Sequence, residues 1–204
     1  MISTSGRKIL MQFVSDVKTL LTNNIISSLQ QHYGIWADGR VIPVSQLTTS
    51  NADIIYRARM LRGRLQYIKN SLPADSTDID KKAVQQLTAE QAFTILNRFC
   101  AVRMCEEREL IMPSIGDGYD SDGFVSYDMV TGQGSVGSRY ERYCWYIQSL
   151  YDELSIELPS VFDRYSPYGL IWPDETTLTK LFDLINNENL TAFYDDQTGE
   201  TVDF

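Results

Sequence analysis

Apolar residues recur every three to four positions along most of this chain, which is the spacing of amphipathic helices. The first such stretch runs from about Gly6 to Tyr33, and Gly34 follows it, a residue type preferred just past a helix end. Asn51, a good N-cap residue, precedes a second stretch over residues 52–70. The pattern predicts two long helices in this part of the chain.

A third helix is predicted over residues 87–108. Thr88 and Gln91 form a capping-box pattern at its start, and Pro113 lies just beyond its end. Because a capping box satisfies two free backbone donors at a helix N-terminus, the pattern favours a start near Thr88.

Two further helices are predicted towards the C-terminus. Ser138 and Glu141 supply a second capping-box pattern, and the helix that follows continues until about Pro159. The last helix begins near Asp174 and extends to about Asn187.

Two stretches interrupt the helical pattern. Residues 35–44 contain an Asp-Gly pair between apolar residues, which favours a small β-hairpin. Residues 114–138 contain six of the twelve glycines and several aspartates, and they read as a long loop, partly ordered around Phe124 and Tyr127. The sequence therefore predicts an all-α fold with four or five main helices around one core, a long Gly- and Asp-rich loop, and a small hairpin.

The chain is expected to form a single helical domain over residues 1–204. Sub-parts over residues 1–72 and 85–190 are compatible with the pattern, separated by a polar stretch. Residues 191–204 form a polar tail without a capping or stop signal, and we expect the protein to continue beyond this tail.

Charge is distributed unevenly. The net charge is −9, and residues 151–204 hold 12 acidic and 2 basic residues, so the first 150 residues are close to neutral. A free-standing DNA-binding domain is normally basic, which the whole chain is not. No apolar run approaches the length of a transmembrane helix, and the three cysteines lack metal-ligand spacing. A cytoplasmic protein with no membrane partner is expected.

The second predicted helix carries five basic residues outside its apolar stripe. These are candidates for contacts with DNA phosphates, since long cationic side chains suit that role. They are Arg57, Arg59, Arg62, Arg64 and Lys69. The alternative, a solvated face paired with acidic residues from elsewhere in the chain, is the more common situation for charged helix faces.

The third predicted helix carries polar residues on its apolar face, namely Asn97, Arg98 and Arg103. Burying an arginine is unfavourable unless it is paired, and Arg103 has Glu106 one turn later. We expect these four residues to form an internal polar network that fixes the helix against its neighbours. The tyrosines and tryptophan of residues 140–151 are expected to be core and interface residues rather than a base-stacking platform.

Signatures of catalysis are weak. Residues 132–137 have the G-x-G-x-x-G spelling but lack a preceding strand, so nucleotide binding is not favoured. Two Asp-x-Lys patterns occur, at residues 16–18 and 80–82. The first has no acidic residue ahead of it and the second has only Asp75 and Asp78 nearby in a polar loop, so a nuclease centre is not favoured. With His32 as the one histidine, histidine-based metal sites and catalytic dyads are close to excluded.

Three segments resemble a region of large bacterial adenine-specific DNA methyltransferases of the type IIG restriction–modification and BREX (PglX-like) phage-defence class. The first is the helix of residues 93–110, with its order Asn97-Arg98, Ala101-Val102-Arg103 and Met104-Cys105-Glu106. It departs from the family pattern at Cys105 and at Glu109, where glycine is common. The second and third are residues 146–163 and 170–186.

The resemblance implies a helical N-terminal region that precedes an S-adenosylmethionine-dependent adenine-N6 methyltransferase core. Its partners would be that core and, in the full-length enzyme, double-stranded DNA. The Gly-rich cofactor loop and the Asn-Pro-Pro-aromatic loop of such enzymes are missing here, so no catalytic, cofactor-binding or metal-binding residue is assigned to this chain and S-adenosylmethionine is expected only in the parent. The resemblance thus implies a non-catalytic scaffold that shapes the DNA channel and binds DNA weakly or not at all by itself.

Two alternatives remain open. The chain could be a free-standing acidic helical module for protein–protein interaction, using its acidic C-terminal third to bind a basic partner. It could also be a small hydrolase or nuclease that uses the Asp-rich residues 117–128, although no nucleophile–base pair is apparent.

Overall fold

Helices dominate the structure, a computed structural model that describes residues 3–73, 77–131 and 136–194. In these ranges there are eight α-helices and no strand, which confirms the predicted all-α fold. The helices are α1 (Thr4–Tyr33), α2 (Ala52–Ser71), α3 (Ile79–Glu107), α4 (Asp122–Val130), α5 (Arg139–Leu154), α6 (Pro159–Phe162), α7 (Glu175–Ile185) and α8 (Thr191–Tyr194).

The chain divides into two compact units that are discontinuous in sequence. We call Met1–Val17, Leu96–Arg164 and Asp174–Phe204 the acidic unit, because these segments hold 21 acidic and 9 basic residues, for a net charge of −12. The basic unit is Lys18–Ile95 and Tyr165–Pro173, with 6 acidic and 9 basic residues, for a net charge of +3. The expected sub-parts 1–72 and 85–190 do not coincide with these units.

The core of the basic unit comes from α1, α2 and α3. Leu21, Ile25 and Leu29 of α1 are fully buried at four-residue spacing, as is Leu61 of α2. Burying an aliphatic side chain of this size contributes about 1.5–3 kcal/mol. Helical periodicity alone therefore selects the buried face of these helices.

The core of the acidic unit is aromatic. The ring of Tyr143 packs edge-to-face against Tyr119, Phe124 and Phe182, with ring centroids 5.1–5.4 Å apart. Gly118 lies against the Phe182 ring with a φ of +53°, so a side chain at this position would meet both a strained backbone and the ring.

Local capping signals correctly predicted the starts of α2 and α5. The Asn51 side chain accepts the amides of Asp53 and Ile54 at the start of α2. Ser138 and Glu141 form the predicted capping box of α5.

The predicted start of the third helix was wrong. α3 begins at Ile79, so Thr88 lies inside the helix, where its hydroxyl donates to the Val84 carbonyl. Gln91 does not cap the helix, and its side chain instead binds the backbone of the segment 165–173. The polar residues before Thr88 are compatible with helix, and the buried Ala83 and Val84 anchor these additional two turns.

The two irregular stretches are more ordered than the pattern suggested. The predicted hairpin is reduced to one antiparallel bridge between Ile35 and Val41, closed by a turn in which Gly39 has a φ of +97°. The predicted long loop contains the helix α4, whose Phe124 is buried in the aromatic core. The glycines of residues 132–135, and with them most of the G-x-G-x-x-G pattern, lie outside the described residues.

Candidate functional site: buried polar clusters and the basic face of α2

Gln91 of α3 binds the segment 165–173 within the basic unit. Its amide oxygen accepts the backbone amides of Leu170 (2.8 Å) and Ile171 (3.2 Å), and its amide nitrogen donates to the Pro167 carbonyl (2.8 Å). The side chain is fully buried, so each of these groups would otherwise be an unsatisfied polar atom. One side chain thus ties a segment about 80 residues away in sequence to α3.

Arg98, one of the predicted network residues, does the same in the acidic unit. Its Nε donates to the Val161 carbonyl (2.8 Å) and its Nη2 to the Asp163 carbonyl (2.6 Å). The guanidinium also lies over an aromatic ring, with its Cζ 5.6 Å from the Tyr151 centroid. Burial lowers the pKa of Arg98, yet the group stays a cation because a free guanidinium titrates far above neutral pH.

Glu106 and Arg103 form a second cluster in the acidic unit. The Glu106 carboxylate accepts the backbone amides of Ser114 (2.7 Å), Ile115 and Gly116 (2.9 Å), three consecutive donors of the loop after α3. Burial raises the pKa of the Glu106 carboxyl, while the three amides and Arg103 act in the opposite direction. The carboxylate therefore fixes the loop backbone and is not free to act as an acid or base.

Arg103 completes this cluster. It pairs with Glu107 and Glu106, its Nε donates to the Asn186 Oδ1 (3.1 Å), and the Asn186 amide donates to the Ile115 carbonyl (2.9 Å). The first three contacts occupy both edges of this half-buried guanidinium and so compensate for its partial removal from water. Asn186 was missed by sequence reasoning, since an asparagine just after a helix looks like an ordinary C-terminal residue.

Asn97 does not join these clusters. It is half-buried and makes no side-chain hydrogen bond to any other described residue. Of the four residues expected to form a polar network, the structure therefore brings Arg103 and Glu106 together and places Arg98 in a separate cluster.

The basic residues of α2 are largely used within the protein. Arg57 pairs with Asp53 (2.8 Å) and donates to the Leu170 carbonyl (2.7 Å). Arg62 donates to the carbonyls of Tyr33 (2.7 Å) and Ile42 (2.8 Å), and burial lowers its pKa. These two arginines hold backbone segments in place, which argues against a role in binding phosphates.

The remaining basic residues of α2 differ from one another. Arg64 forms a bidentate pair with Glu90 (2.7 and 2.8 Å), which raises the pKa of Arg64. Lys69 pairs with Asp80. Arg59 is exposed and has no ion pair with any other described residue. The predicted phosphate-contact set is thereby reduced to Arg59 as its one uncommitted member within the described chain.

Some acidic residues of the segments considered for metal or nuclease chemistry form ion pairs within the protein. No group of three or more His, Cys, Asp or Glu residues there is arranged to hold a metal ion. Two acids of the Asp-rich segment are already paired, Asp120 with Arg139 and Asp128 with Arg142. Asp80 of the second Asp-x-Lys pattern is paired with Lys69.

His32 lines an open cavity of about 290 Å³ in the basic unit. The other lining residues are glutamine, threonine, glycine, tryptophan, leucine and isoleucine, so no second titratable side chain faces His32 there. A general acid–base pair is therefore not assembled in this cavity.

The cysteines have the character of buried thiols. Cys100 and Cys144 are buried and Cys105 is half-buried, and none forms a disulfide. Burial raises the pKa of Cys100 to about 12, so its thiolate is not populated near neutral pH.

Among the described residues, no helix combines the length and the apolar character needed to cross a bilayer.

No protein-family model, no curated protein and no solved structure matches this chain.

Proposed function

We propose that this chain is a non-catalytic helical scaffold of a bacterial DNA adenine-N6 methyltransferase of the type IIG or BREX (PglX-like) class. In that role it would pack on the methyltransferase core, which binds S-adenosylmethionine and double-stranded DNA, and help to shape the DNA channel. The proposal rests on the resemblance of residues 93–110, 146–163 and 170–186 to that family.

A scaffold role is favoured because residues of the first resembling segment make structural hydrogen bonds within the chain. Arg98, Arg103 and Glu106 belong to the motif, and each binds backbone or side-chain groups of a neighbouring segment. A buried polar residue that fixes a loop has a structural role that does not require the residue to take part in catalysis. The internal pairing of most basic residues on α2 also agrees with weak duplex binding by the chain alone.

The test begins with the gene. We expect the reading frame to continue past the codon for Phe204 into a Gly-rich cofactor loop and an Asn-Pro-Pro-aromatic motif. The full product should transfer a labelled methyl group from S-adenosylmethionine to adenine in duplex DNA. Glu106→Ala in that product should reduce transfer through loss of the folded scaffold, whereas the matched variant Glu107→Ala should not. A stop codon after Phe204 would remove the basis of the proposal.

A second candidate is a free-standing acidic interaction module. It is favoured by the net charge of the acidic unit and by Ile156, which is 77% exposed beside Glu153 and Glu157. Such a module should retain a basic partner in a salt-sensitive pull-down, and Ile156→Ser should release it. Binding that does not respond to salt or to this substitution would contradict this candidate.

A further inference from the structure

The exposed side of α2 presents tyrosines around an uncommitted arginine. At 100° per residue, Tyr56, Arg59, Gly63 and Tyr67 lie within an arc of about 80°. Tyr56 is 44% exposed and Tyr67 is 62% exposed, and Gly63 between them leaves the helix surface open. We call these four residues, with Tyr168 of the same unit, the tyrosine face.

Two of these rings are held in place. The Arg64 guanidinium lies between the rings of Tyr67 and Tyr168, with its Cζ 4.8 and 4.4 Å from their centroids. Glu90 fixes the guanidinium through its bidentate pair. Tyr168 remains 45% exposed, so the stack orients aromatic surface towards solvent without burying it. Rings that are ordered before binding lose little further entropy when a ligand stacks on them.

The surplus positive charge of the basic unit is not neutralised internally. Four of its acids form ion pairs within the unit, namely Asp38, Asp53, Asp80 and Glu90. Five of its cations have no ion pair with any residue that the structure describes, namely Lys18, Arg59, Arg62, Lys81 and Lys82. Of these, Arg62 is held by the carbonyls of Tyr33 and Ile42. Lys81 and Lys82 follow Asp80, which pairs with Lys69 in the last turns of α2. Arg59, which has no ion pair with any described residue, therefore lies on the same face of α2 as Tyr56 and Tyr67, and this combination favours an anionic and aromatic ligand.

We propose that the tyrosine face binds single-stranded nucleic acid. Proteins that bind single strands without sequence preference combine cationic side chains along the phosphates with aromatic rings on which bases stack. Tyr56 and Tyr67 are eleven positions apart, or about 16 Å along the helix, which fits a segment of a few nucleotides. Bases inside a duplex are stacked on each other and cannot reach such rings, so the face favours a single strand over a duplex.

This proposal does not depend on the methyltransferase assignment. It concerns the isolated chain and a single strand, whereas the assignment concerns the parent enzyme and a duplex. Binding and methyl transfer are measured separately, so either can fail alone.

The test is fluorescence anisotropy of the full chain with a labelled oligothymidylate of about twelve nucleotides. Measurements at about 50 mM and about 200 mM salt give the dependence of affinity on salt. We expect saturable binding at the lower salt that is tighter than binding to a duplex of the same length. Tyr67→Leu should weaken binding about tenfold, because one stacked base is lost.

Arg59→Gln separates the phosphate contact from stacking. It should reduce the salt slope of the logarithm of the binding constant by about 0.7, the contribution of one phosphate contact on a single strand. Trp145→Leu and Lys8→Gln, an exposed aromatic residue and an exposed cation of the acidic unit, are the controls and should change neither quantity. Tyr56→Leu provides a second stacking variant. Urea unfolding shows whether each variant is folded.

Several results would overturn the proposal. These are no binding at low salt, unchanged affinity in both tyrosine variants, or tighter binding to the duplex. Equal displacement of the oligonucleotide by polyglutamate of the same charge would indicate an acidic protein as the partner, and would overturn it as well.

Discussion

The Glu106 carboxylate should be a main determinant of stability in the acidic unit. It is buried and accepts three backbone amides of the loop after α3, at Ser114, Ile115 and Gly116. Hydrogen bonds to a charged group contribute about 1.5–3 kcal/mol each, but contributions within one cluster are not additive. Because Glu106→Ala also leaves Arg103 with one partner fewer, we expect a loss of about 3–5 kcal/mol in the free energy of unfolding.

Glu107→Ala is the matched control. Glu107 is the next residue of α3 and pairs with the same Arg103, but its side chain is more exposed, 26% against 2% for Glu106. A partly exposed ion pair contributes about 0.2–1 kcal/mol. Glu106→Gln, which keeps one acceptor oxygen but directs an amide donor at backbone donors, should fall between the two.

Urea unfolding followed by far-ultraviolet circular dichroism measures the total loss. Hydrogen exchange with mass spectrometry gives a local readout, since the amides of residues 114–116 should lose protection in Glu106→Ala before the helices do. If Glu106→Ala were no more destabilising than Glu107→Ala, or if these amides kept their protection, the carboxylate would not fix the loop.

Three further outcomes are expected. Gln91→Ala should lower the free energy of unfolding by about 2–4 kcal/mol, because it leaves two buried backbone donors and one acceptor unpaired. The control Gln86→Ala, at an exposed position, should change it by less than about 0.5 kcal/mol. Equal urea midpoints of the two variants would contradict this. Gly63→Ala should stabilise α2 by about 0.5–1 kcal/mol, since no atom lies within 4 Å of the added methyl group. Gly123→Ala should destabilise by about 1–3 kcal/mol, because its methyl group would lie 2.8 Å from a backbone carbonyl; thermal unfolding of the pair tests the opposite signs. Of the three thiols, Cys105 should react first with a disulfide reagent in the folded protein, since the others are buried; early labelling of a buried thiol, located by peptide mass mapping, would show that the core opens.

Local signals in the sequence determined α1, α2 and the start of α5. The apolar periodicity of residues 6–33 and 52–70 placed α1 and α2, because a helix that buries one face needs apolar residues at that spacing. Asn51 and Ser138 placed helix starts, because a side-chain acceptor is needed within three residues of the free amides. These interactions act over one helical turn, so they are visible in one stretch of sequence.

The candidate site depended on contacts that no local pattern reveals. Arg57 and Arg64 look equally free on the surface of α2, yet one reaches a carbonyl at Leu170 and the other a carboxylate at Glu90. Arg59, on the same helix, finds no ion pair among the described residues and remains available to a ligand. Which cations are used internally depends on which distant segment packs within reach of each guanidinium.

The role of Gln91 also could not be predicted from the local sequence. Its spacing from Thr88 matches a capping box, but α3 begins at Ile79, and Ala83 and Val84 are buried in the additional turns. With its side chain inside the core, Gln91 must pair with whatever backbone lies opposite, and that is the segment containing Leu170. Periodicity and capping are set by neighbours along the chain, whereas the partner of a buried polar group is set by the packing of segments far apart in sequence.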